Sequence, residues 1–208
     1  MRLRPRRVAW FTPSWRATMW TETVKTLGRE LLLSSSLGSF VFATHLPAMV
    51  ARRDAMRLLR CEGGENDAVL MVDDEIAFYV RGPNGADLRV SAVDRIVKQG
   101  FDNQRLAYGR AFWQGPGSDW NQRAANDARD AAGNVTVAGS ALLLVTSDAW
   151  KVARESGFKW EAQDVEDVAF CRHMVARGWT LHPVSGIAVA HNSAWRPPLV
   201  CNGPEEET

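Results

Sequence analysis

The sequence predicts an α/β fold with a mostly parallel central sheet flanked by helices, and three observations carry that prediction. Residues 68–76 (AVLMVDDEI) form an unbroken apolar run that ends in three consecutive carboxylates. Without alternation, such a run reads as a strand covered on both faces, as in a parallel α/β sheet. Strand-like and helix-like stretches alternate through the first 70 residues, the βαβαβ order that right-handed crossovers join into a parallel sheet. Finally, 208 residues at 46% hydrophobic and 24% charged can bury one sizeable core. A single domain is expected over residues 1–196. The tail 197–208, with Pro204 and three glutamates, is expected to be disordered.

The elements follow in chain order. Residues 7–12 (RVAWFT) are β-rich and stopped by Pro13. Thr21 then caps a helix expected to place Val24, Leu27, Leu31 and Leu32 on one buried face. Residues 38–44 (GSFVFAT) form a second short strand, and Pro47 opens a second helix. Arg53, Arg57 and Arg60 would make a basic stripe on it, either solvated or positioned to meet a phosphate. After the acids, Pro83-Asn84-Gly85 signals a sharp reversal, and residues 91–99 read as a short helix. Residues 100–134 are polar, punctuated by Trp113 and Trp120, and long enough to suggest a functional loop that orders over a ligand. The apolar strand 135–145 is interrupted by Gly139-Ser140, where a backbone can approach a ligand closely or form a bulge. Ser147 caps a short helix, and a longer one is expected over residues 165–177, ended by Gly178. Short strands at 180–183 and 187–191 complete the chain.

Chemistry concentrates at the acidic strand end. Asp73, Asp74 and Glu75 repel one another and are costly to desolvate unless a cation joins them, and Mg²⁺ or Mn²⁺ favours oxygen ligands. A solvated acidic turn is the plainer alternative. Glu166 and Asp167 fall in the first turn of the later helix, where capping and the macrodipole favour carboxylates in any protein.

Composition excludes several classes. A formal net charge of +1 gives no overall bias toward a polyanion, although Arg2, Arg4, Arg6 and Arg7 cluster at the amino end. Cys61, Cys171 and Cys201 are odd in number and lack a C-x-x-C pair, so neither a disulfide framework nor a zinc site is indicated. Residues 1–15 lack the apolar core of a signal peptide, and no apolar run reaches 18 residues. A cytoplasmic protein without stable membrane insertion is expected.

The order of motifs resembles a known family. Phe11-Thr12-Pro13, Ala-Arg-Arg-Asp-Ala at 51–55, the strand into Asp-Asp-Glu, Ala-Gly-Ser-Ala-Leu-Leu-Leu, Val-Glu-Asp-Val-Ala-Phe-Cys-Arg and Val-Ala-His together resemble a family 2 type glycosyltransferase. The resemblance covers residues 8–195 and is closest to compact phage and bacterial members. It implies a single GT-A (Rossmann-like) domain, acting in a bacterial or phage-infected cell. In that family the acidic strand end holds the diphosphate of a nucleotide sugar through Mn²⁺ or Mg²⁺. Here that implies Asp73, Asp74 and Glu75 as metal ligands, with His191 as a further metal ligand or diphosphate contact. Pro13, Arg53, Asp73 and Asp74 are the implied donor-binding residues. Asp167, with Glu166 before it, matches the base of inverting members. Three positions depart from the pattern: Glu75 replaces an Asp, Asp54 replaces an Asn, and Ala43-Thr44-His45 stands where an acidic nucleotide-recognition motif is usual.

The implied activity is transfer of a glycosyl group from a nucleoside diphosphate sugar to a hydroxyl with inversion. The acceptor, a saccharide or small hydroxyl compound or else a modified DNA base, is expected beside Trp160, Gly139 and Ser140. A nucleotidyltransferase shares this architecture, but its glycine-rich phosphate loop is absent near the amino end. A noncatalytic carbohydrate-binding protein using the nine tryptophans is the other alternative.

Overall fold

The computed structural model describes residues 6–14, 17–82, 87–101, 104–109, 112–113, 128–129, 135–137, 142–160 and 166–191. Gly139, Ser140, the tail 197–208 and most of 100–134 lie outside them.

The elements are β1 (Val8–Ser14), α1 (Thr21–Leu33), β2 (Leu37–Thr44), α2 (Ala48–Ala55), β3 (Ala68–Val72), β4 (Ile76–Arg81), β5 (Asp87–Leu88), α3 (Ala92–Gly100) and β6 (Arg105–Tyr108), then β7 (Phe112–Trp113), β8 (Ala128–Arg129), β9 (Val135–Val137), β10 (Leu142–Thr146), α4 (Ser147–Glu155), α5 (Glu166–Val175), β11 (Thr180–Pro183) and β12 (Ile187–His191). The central six-stranded sheet runs β11-β6-β10-β3-β1-β2. β10 is antiparallel to both its neighbours, and the other pairs are parallel. A smaller sheet, β5-β4-β12-β7, packs beside it, and β8 pairs with β9.

Both faces of the central sheet are covered, which explains the unalternating apolar strands. Ala9, Phe11, Val69, Met71, Leu143 and Val145 meet α2, α4 and α5 on one face. Val8, Trp10, Leu70, Val72, Leu142 and Leu144 meet α1, α3 and β4 on the other. Each strand thus alternates between two cores rather than between core and water.

Five expectations change, two of them in strands: β1 runs through Pro13 to Ser14, and the stretch 135–145 supplies two strands in different sheets, β9 and β10. The helix after Pro47 ends at Ala55 and continues as separate 3-10 turns, so Arg53, Arg57 and Arg60 do not share one helix. On α1 the buried side is Thr23, Thr26, Leu27 and Glu30, whereas Val24, Leu31 and Leu32 are exposed. The reason is polar: Glu30, fully buried, accepts from Ser91 Oγ at 2.7 Å and from Ala92 N and Val93 N, both at 3.1 Å, and so caps α3. Those bonds offset the desolvation of its charge, and they turn α1 so that Leu31 and Leu32 face outward while Leu27 stays buried. Asp94 answers from α3, accepting from Ser34 Oγ at 2.6 Å and from Ser35 N and Ser36 N. Finally, the cap of α4 is Thr146 rather than Ser147, with Thr146 Oγ1 accepting from Ala149 N at 3.1 Å.

Candidate active site

The carboxyl end of β3 delivers Asp73 into a turn that Ile76 N closes on Asp73 O at 3.1 Å. Two neighbouring elements anchor that turn. Trp20 N and Thr23 Oγ1, at the amino end of α1, donate to Asp74 O at 2.8 and 3.1 Å. Ser14 Oγ, ending β1 directly after Pro13, donates to Asp74 Oδ2 at 2.5 Å. Asp74 is therefore buried against the scaffold, and its bonds hold the turn's shape.

Glu75 meets His191, with Nε2 and Oε1 2.9 Å apart and both side chains buried. The pairing follows from sheet register, since β12 runs antiparallel to β4 with His191 opposite Ile76. A histidine and an acid 116 positions apart in the chain thus become neighbours through one strand pair.

The Asp73 carboxyl is strongly perturbed. Burial pushes its carboxyl up, the Arg52 guanidinium opposes this, Asp167 and Glu75 push it further up, and His191 draws it down, leaving it at about 7. Arg52 is itself buried and donates to Asp73 Oδ1 at 3.0 Å and to Met71 Sδ at 3.3 Å. Burial is the largest cause of that rise, and the neighbouring acids add to it.

Asp167 reaches this cluster from the first turn of α5. Its carboxylate is buried, and Oδ1 accepts from Val168 N at 2.8 Å. For Glu166, the described structure gives its helical place and no more. Asp73, Asp74, Glu75, Asp167 and His191 are thereby gathered at the carboxyl end of the central strand, the edge where open α/β sheets hold ligands.

Two of the expected site residues lie outside this cluster. Arg53 points outward, with its side chain 58% exposed and paired to Asp54 at 3.3 Å, and its neighbour Arg52 takes the inward place. Consecutive helical residues differ by about 100°, and Arg52 shares the buried side with Ala51 and Ala55. That spacing was the available signal. Trp160 is a core residue: its ring stacks on Trp150 and Phe170, with centroids at 6.2 and 5.4 Å, and meets Phe158 edge-on at 5.0 Å. Its faces are filled by protein, so it braces the segment before α5 and does not offer a platform for stacking. At the amino end, Arg7 pairs with Glu65 and Arg6 lies over the Phe101 ring.

Among the described residues, no three His, Cys, Asp or Glu side chains already form a cluster that could hold a metal ion. The donor chemistry fits one all the same. Asp73 and Glu75 offer hard oxygens, His191 offers a nitrogen, and Asp167 adds negative charge beside Asp73 that a divalent cation would neutralise.

No protein-family model and no curated protein matches the chain. Solved structures match it in fold. The crystal structure of A197 from STIV aligns with a TM-score of 0.55 at 12% identity, over 89% of this chain and 85% of that one. GalNAc-T7, solved with UDP, GalNAc and Mn²⁺, aligns with a TM-score of 0.56 at 8% identity, over 90% of this chain and 44% of that one. The chain spans less than half the length of GalNAc-T7. At these identities the likeness is one of fold, and the fold is the GT-A type: a mostly parallel central sheet flanked by helices.

Proposed function

We propose that residues 1–196 act as one GT-A unit that transfers a glycosyl group from a nucleoside diphosphate sugar to a hydroxyl acceptor, with divalent metal and with inversion. The observation that carries this reading is the cluster at the carboxyl end of the central strand, where Asp73 is held by Arg52, Glu75 meets His191, and Asp167 adds its charge from α5. The raised Asp73 carboxyl agrees with it, since burial and neighbouring charges are what shift acids in functional clefts.

Asp73, Glu75 and His191 would hold Mn²⁺ or Mg²⁺, which when bound supplies Lewis-acid neutralisation of the departing diphosphate. Arg52 fixes the rotamer of Asp73 and keeps a positive charge beside it. Asp74 shapes the turn through Ser14 and Thr23. Asp167 accepts the proton of the acceptor hydroxyl as its oxygen bonds to the anomeric carbon, while the bond from that carbon to the diphosphate oxygen breaks with its electron pair leaving on the diphosphate. The Val168 N–H holds the Asp167 carboxylate in place for this role.

A saccharide or other small hydroxyl compound is the favoured acceptor, with Gly139 and Ser140 as candidate contacts and a modified DNA base ranked second. The carbohydrate-binding alternative loses support because Trp10, Trp150, Trp160 and Trp179 are core residues. No described helix is long and apolar enough to cross a membrane. Incubating the protein with a panel of nucleotide sugars and Mn²⁺ should release nucleoside diphosphate slowly even without acceptor, and excess EDTA should stop it. Equal release with and without EDTA would remove the metal from this reading.

A further inference from the structure

Away from the acid turn, α3 and the β6–β11 edge of the sheet border an open cleft of about 330 Å³ lined, among the described residues, by Arg95, Lys98, Gln99, Arg105 and His182. That volume suits a small ligand. Four of the five lining side chains are basic in a chain whose formal charge is only +1, so the cationic character is local. The acid of α3 does not cancel it, because Asp94 is turned to the donors of residues 34–36.

The walls of the cleft are held in place. Gln99 Oε1 accepts from Ser185 N at 3.0 Å and its Nε2 donates to Ser185 O at 3.1 Å, while Arg95 Nη1 donates to Gly186 O at 3.0 Å. These bonds clamp the turn between β11 and β12 onto α3. Arg105 and Ala107 lie on one side of β6, and His182 stands opposite Ala107 in parallel register. Strand alternation therefore sets Arg105 and His182 on the same side of the sheet as α3, against which Ala107 packs. β6 and β3 run in the same direction, both antiparallel to β10. Arg105 begins β6, so the cleft opens toward the end of the sheet remote from Asp73.

We propose that this cleft binds a small phosphorylated molecule at a second site, independent of the glycosyl-transfer reading. Guanidinium groups match phosphate oxygens in a fork, an ammonium adds a point charge, and an imidazole adds a further nitrogen donor. Among the described lining residues none is a carboxylate. A small cleft in a chain of near-neutral charge favours a compact phosphate ester over a nucleic acid, which needs an extended basic surface.

The test is calorimetric titration of inorganic pyrophosphate into the full chain in excess EDTA, which disables any metal-dependent diphosphate binding at the acid turn. Saturable binding below about 1 mM is expected. It should weaken at least about tenfold in Lys98→Glu, an exposed position on α3, and in Arg105→Gln, and be unchanged in Asp73→Asn. Melting curves matching the wild type show that the variants are folded, and Lys98→Gln should fall between wild type and Lys98→Glu. A short single-stranded oligonucleotide should compete no better per phosphate than pyrophosphate. Three results would each overturn the proposal: no saturable binding, binding that Asp73→Asn abolishes while the cleft variants keep it, or oligonucleotide competition at far lower phosphate concentration.

Discussion

Two carboxylates, the fully buried Glu30 and the half-buried Asp73, share a chemistry and differ in purpose. Glu30 is surrounded by donors: a hydroxyl, two backbone N–H groups at the start of α3, and Arg29 at 3.3 Å. Asp73 has Arg52 but also faces the charges of Asp167 and Glu75, and its carboxyl rises to about 7. The difference teaches how to separate scaffold from site. A buried acid whose surroundings all donate is settled, whereas one that shares its space with other acids is waiting for a cation or a proton.

The sharpest break in this comparison is Asp73→Asn, which should lower glycosyl transfer by about a thousandfold while leaving the melting temperature unchanged or raised. The pH dependence runs the same way. With its folded value raised above the ordinary 3.8 to about 7, Asp73 binds a proton more tightly when folded, so its contribution to stability falls as pH rises from about 4 to about 7 and then levels. Asp73→Asn should flatten that slope in urea titrations across this range. An unchanged slope would mean that Asp73 is not the group responsible.

Glu30→Ala should do the reverse, costing roughly 3 kcal/mol of stability by stranding three donors while the folded fraction keeps its activity. Loss of activity per folded molecule would erase the distinction between the two acids. Arg52 and Arg53 extend the comparison to adjacent residues. Arg52→Ala should cut transfer by about tenfold to a hundredfold, as expected for a group orienting a ligand side chain, and Arg53→Ala should stay within about twofold. Equal effects in steady-state assays would contradict the inward placement of Arg52. The smallest effect belongs to Asp94. Burial pushes its carboxyl up, but bonds from Ser34, Ser35 and Ser36 outweigh this and hold it below its ordinary value. Its stabilisation is therefore present above the ordinary carboxylate range and lost as pH falls through the lowered value. Asp94→Ala should cost below about 1 kcal/mol at neutral pH and nothing in strong acid.

The parts of this molecule that depend on local pattern were readable in the sequence, and those that depend on long-range pairing were not. The strand at 68–72 shows itself because burial on both faces leaves no polar position in it. α3 shows itself through Ser91, which accepts from Asp94 N at 2.9 Å as an N-cap should. The face of α1 was misread because Glu30 has its partners on α3, 61 to 63 positions away, and no periodicity reveals an acid that is satisfied there. Trp160 was misplaced for a related reason. A tryptophan beside a polar segment looks available until Trp150 and Phe170 close on it. At the site, the acids of the turn were legible as a run, whereas the Glu75–His191 contact exists only through the β4–β12 register.

The central claim is that the turn at Asp73 is a metal-dependent diphosphate site, and calorimetric titration of nucleoside diphosphates with and without Mn²⁺ tests it most directly. The account predicts a binding component that appears only with Mn²⁺ and vanishes in Asp73→Asn, while any metal-independent component persists in that variant. Absence of a metal-dependent component, or its survival in Asp73→Asn, would contradict the account.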